Sequence, residues 1–148
     1  MSATRDLLEG IAQYLHDQGV GVYDPDPTHI YNPADTVITT KNLPSSVPRG
    51  IMLTAYAPSD HPTLNNSQYR VQFWLRGIPN DSLDVDDLAD DIFHVFHGLE
   101  CKWFGTVYVV QANRTSAMPM GEDDNNRHER SDNYSCDVNR PATINQPA

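Results

Sequence analysis

Residues that could carry chemistry gather in two parts of this chain. In the first, His94 and His97 stand three apart in a segment that also holds Asp84, Asp86, Asp87, Asp90 and Asp91. Positions three or four apart share a helix face, so the imidazoles and nearby aspartates could bind a divalent cation and activate water, as in a small metal-dependent hydrolase. A plainer reading accounts for the same residues. The histidines lack a third ligand at a recognisable spacing, imidazoles in a last turn suit the negative end of a helix dipole, and aspartates in a first turn suit the positive end. The remaining aspartates then form a solvated face. On that reading the chain has no catalytic, cofactor-binding or metal-binding residue. Other motifs do not alter it: His61 follows Asp60 in a proline-rich loop, no serine or cysteine sits in GxSxG, and the glycines form neither GxGxxG nor GxxxxGK[ST].

The second part is Arg127–Asp132 (RHERSD), the densest mixed-charge cluster in the chain. Guanidinium groups make bidentate contacts to carboxylates and can fix register between partners. The cluster therefore predicts a subunit interface through Arg127, Glu129, Arg130 and Asp132, with Tyr134 beside them.

The elements that must position these residues are read from periodicity. In Gln68–Arg76, Tyr69, Val71, Phe73 and Leu75 alternate with polar residues, as in a strand with one buried face, and only Trp74 interrupts the polar side. Gly77, Pro79 and Asn80 stop it, and Asp81 or Ser82 can cap a helix whose stripe is Val85, Leu88, Ala89, Ile92 and Phe96 and whose end is Gly98. Thr106–Ala112 reads as a central strand, and if the whole unit is a parallel crossover the handedness rule applies. Upstream, Ser2 or Thr4 can cap a helix with Leu8, Ile11, Ala12 and Leu15 inward, while Thr36–Lys41 and Gly50–Ala57 read as strands. Residues 114–131 lack periodicity and read as a long loop or arm, Asp132–Arg140 as a strand pairing with Thr106–Asn113, and 141–148 as a flexible tail. The expected fold is α+β: one domain over 1–140, a mixed sheet of about five strands with two helices on one face and a long hairpin arm.

The chain has 148 residues, enough for one core, and a formal net charge of −10 from 20 acidic and 10 basic side chains. That balance argues against general nucleic-acid binding, which needs concentrated Lys and Arg. Cys101 and Cys136, far apart and outside any CxxC, predict two reduced thiols. No apolar run approaches membrane-spanning length, so no membrane association is expected, and synthesis and folding are expected in the cytoplasm.

Three stretches, Asp6–Leu15 (DLLEGIAQYL), Val85–Leu99 (VDDLADDIFHVFHGL) and Arg127–Pro141 (RHERSDNYSCDVNRP), with their order and connecting strands, resemble the tail terminator or minor capsid proteins of long-tailed actinobacterial phages. The resemblance covers most of the chain up to Pro141. It implies a structural protein without a cofactor, assembled as a hexameric ring on the head-proximal end of the tail tube and resident in the virion. Its partners would be further copies of itself, the tail tube protein and the head-tail connector protein. Genomic DNA would pass through the ring without being held. On that expectation Glu122, Asp123 and Asp124 would face the lumen and repel phosphate. A neck or head-tail connector protein is the alternative of the same class.

Overall fold

The structure, a computed structural model, describes residues 2–147. Residues 1 and 148, which end the domain and tail expected above, lie outside the described residues. The elements are α1 (Ala3–Asp17), β1 (Thr36–Thr40), β2 (Arg49–Tyr56), β3 (Asn66–Arg76), α2 (Asp84–Phe96), β4 (Glu100–Phe104), β5 (Val107–Glu122) and β6 (His128–Asn139). The strands form one sheet in the order β1-β2-β3-β6-β5-β4, with β1 and β2 parallel and every other neighbouring pair antiparallel. This is the α+β fold expected, with a sixth strand. The added strand, β4, has a single buried residue, Phe104, and so offers no alternation to read.

Both helices cover the same face of the sheet. Leu7, Leu8, Ile11, Ala12 and Leu15 of α1 and Val85, Leu88, Ala89, Ile92 and Phe96 of α2 join one cluster with Ile51, Leu53, Val71, Phe73 and Leu75. At its centre Phe73, Phe96 and Tyr134 pack with ring centroids 5.0–5.4 Å apart. Each such fully buried ring contributes about 2 to 3 kcal/mol. Ser2 caps α1 by accepting from the Arg5 N–H at 3.2 Å, and Gly19 (φ 78°) follows its end as a left-handed stop. The cap expected for α2 is corrected: Leu83 occupies that position without a side-chain cap bond. Asp81 instead accepts the Leu83 N–H, and Asp84 turns back to accept the Ile78 N–H at 2.8 Å.

Two further expectations change. β3 and β5 run parallel with β6 between them, but α2 leads first into β4, which runs antiparallel to both, so the unit is not a direct strand–helix–strand crossover. Residues 114–131 are mostly strand rather than loop: β5 runs to Glu122 and pairs with β6 across a turn at 123–127. Register shifts between Val109 and Gln111, Arg114 and Ser116, and Pro119 and Gly121 break the period of two and hide the strand from a pattern reading. The hairpin also lies within the sheet, since β6 pairs with β3 from Glu129 to Asn139. Of the hairpin's two strands, β5 has an open outer half, its pairing with β4 ending at Gln111.

Candidate subunit interface

Arg127, expected at a subunit contact, is 4% exposed and inside the subunit. Its Nη1 donates to the Ser45 and Val47 carbonyls at 2.9 and 2.7 Å, and its Nε and Nη2 meet Asp123 Oδ2 at 2.9 and 2.8 Å. Arg76, also buried, donates to the Pro44 carbonyl at 2.8 Å and to Glu129 at 3.1 Å, and Trp74 Nε1 reaches the same Glu129 oxygen at 3.2 Å. Two guanidinium groups thus tie the connection between β1 and β2 to the hairpin turn. Burial disfavours the charged form of Asp123, but the backbone N–H groups of Arg127 and Asn125 and the Arg127 guanidinium outweigh it and hold the carboxyl below its usual range.

The rest of the predicted cluster points to the opposite face, because successive residues of a strand alternate sides. Arg130 pairs with Asp132 at 2.6 Å and with Asp86 of α2 at 2.9 Å. Burial works against its charge, yet the two carboxylates raise its pKa. Asp132 is 1% exposed and is also met by Arg114 at 3.5 Å. Tyr134 lies in the aromatic centre, where burial raises its pKa far above the ordinary value; its hydroxyl has no hydrogen-bond partner among the described residues. The interface reading is therefore corrected for Arg127, Asp132 and Tyr134, which are buried within one chain. Glu129 and Arg130 are half-buried in internal ion pairs. Of the acidic run, Asp123 belongs to the same lock, while Glu122 and Asp124 are exposed.

The first group of candidates also separates. Asp84 holds Arg49 through both oxygens at 2.8 and 3.2 Å and Asp86 holds Arg130, so these two are partnered rather than simply solvated. His97 stacks on Phe93 at 4.3 Å and accepts the Arg114 N–H at 3.0 Å, while the Arg114 guanidinium covers the other member of that stack at 4.3 Å from the Phe93 centroid. His94 is exposed. Among the described residues no three of His, Cys, Asp and Glu come together as a metal site would require. Cys101 is exposed and Cys136 buried, and burial pushes the Cys136 thiol up to about 12.

Sequence reasoning missed the surface that remains available. Every residue of Thr115–Gly121 in β5 is exposed, with Met118 at 61% and Met120 at 44%, and the stretch carries no charge. The signal was there, as an uncharged run in a chain of net charge −10. An uncharged strand with exposed methionines along an open sheet edge is suited to contact with another protein.

A small α+β chain with internally locked charges and an open, charge-poor strand offers a surface for contact with other proteins. The family model described as bacteriophage tail terminator protein matches residues 14–140, and the chain belongs to that family. It is accordingly a structural component of a phage tail, found in the virion and associated with other tail parts. No curated protein matches the chain.

Proposed function

We propose that the subunit assembles into a closed ring, sixfold as the family resemblance implies, on the head-proximal end of the tail tube. There it ends tube polymerisation and offers the surface that joins the head connector. The observation that carries this reading is the open outer half of β5, exposed and uncharged from Thr115 to Gly121. Copies of net charge −10 repel one another, so contact between them is favoured where charge is absent or opposed. The subunit's partners are then further copies, the tube protein and the connector protein. DNA passes without being held, because a ring of copies each of net charge −10 repels phosphate. The activity is structural and needs no cofactor, and the chain is made in the host cytoplasm before joining the virion.

Mass photometry of the purified protein, alone and with tube protein, tests the ring. A closed oligomer of about six subunits in either sample is expected. A strictly monomeric protein in both would overturn the reading.

A further inference from the structure

A head-to-tail ring needs two different surfaces on each subunit, placed apart and complementary to each other. The order β1-β2-β3-β6-β5-β4 puts β1 at one edge of the sheet and the open part of β5 near the other. Beside β1 lies a groove of about 510 Å³ between that strand and α1, lined by Thr4, Leu8, Thr40 and Lys41 and by the exposed Arg5–Glu9 ion pair. Lys41 is exposed, forms no ion pair among the described residues, and has φ 63°. A left-handed conformation is costly for a residue with a side chain and calls for an explanation. Here the backbone hydrogen bond from Lys41 N–H to the Leu53 carbonyl, 3.0 Å long, holds it in place beside the groove.

At the far edge, the outer half of β5 has the opposite character. Its exposed Met118 and Met120 lead to Glu122 and, past the strand end, Asp124. Asp124 forms no ion pair among the described residues, and Glu122 only a 3.9 Å approach to His128. Pro119 and the neighbouring register shift disfavour regular strand-to-strand pairing along this edge. Side-chain docking into a groove is the contact that the geometry leaves.

We propose that the outer half of β5 in one copy seats in the α1–β1 groove of the next, with Met118 and Met120 over the Leu8–Thr40 floor and with Glu122 and Asp124 against Lys41. The contact is heterologous, so its repetition joins copies head to tail, in a ring when the rotation between copies closes. It rests on the ring reading above and names the surfaces that make it.

Charge reversal tests the contact by sedimentation of the full-length protein. Lys41→Glu alone, and Glu122→Lys with Asp124→Lys alone, each abolish the oligomer, and all three together restore it. Mixing the two disabled proteins restores an oligomer of alternating copies, since the wild-type surfaces meet each other at one contact and the reversed surfaces meet each other at the next. A covalent test runs beside it: Lys41→Cys with Asp124→Cys, in a Cys101→Ser background, gives a ladder of disulfide-linked oligomers on oxidation. Unfolding curves of the variants report whether the fold is retained. If the wild type forms an oligomer that the reversals leave intact and the cysteine pair gives no ladder, this contact is overturned while the ring stands. If the wild type is monomeric at every concentration, alone and with tube protein, and no ladder forms, both are overturned.

Discussion

The two strands of the β5–β6 hairpin share one turn and opposite fates. β6 is flanked on both sides, and its charged residues Glu129, Arg130 and Asp132 are matched by partners in the same chain. The outer half of β5 is flanked on one side only, and Thr115–Gly121 has neither charge nor cover. The difference separates two tasks within one supersecondary unit. The inner strand stabilises the subunit, and the outer strand is free to meet another.

That contrast can be broken first at the inner strand. Arg127→Ala leaves Asp123 and the Ser45 and Val47 carbonyls without their buried donor. Removing one partner of such a buried pair costs about 3 to 5 kcal/mol. Urea unfolding should show that loss in the isolated subunit. Next is acid. The Asp123 carboxyl is held below its ordinary value near 3.8, so its contribution is present above that value and is lost as pH falls through the lower folded-state pKa. The urea midpoint should therefore decline below about pH 4, and Asp123→Asn should flatten that part of the profile. Trp74→Phe removes one hydrogen bond to Glu129, which keeps Arg76, and should cost about 1 kcal/mol. The smallest effect on stability is expected at the outer strand. Met118→Ser with Met120→Ser should stay within about 0.5 kcal/mol in the isolated subunit, yet weaken assembly measured by mass photometry. A large loss of stability from this pair would erase the contrast.

The core was legible in the sequence because period two in Gln68–Arg76 and the helical stripes of Leu8–Leu15 and Val85–Phe96 face one continuous apolar cluster. β4 was hidden by having one buried residue, and the second half of β5 by its bulges and its exposure on both sides. The charged cluster was found but misplaced. Neighbours in sequence on a strand point to opposite faces, so Arg127 and Glu129 joined a buried lock with Arg76, while Arg130 turned to α2. The acceptors of that lock are the Pro44, Ser45 and Val47 carbonyls, and backbone oxygens in a proline-rich connection carry no side-chain signature.

The central claim, that this subunit ends the tail tube, is tested most directly by electron microscopy of phage particles made without it. Overlong tails lacking heads, returned to uniform length when the wild-type protein is supplied, are the predicted result. Tails of normal length joined to heads would contradict the account, and normal tails beside heads that leak DNA would move the protein to the neck.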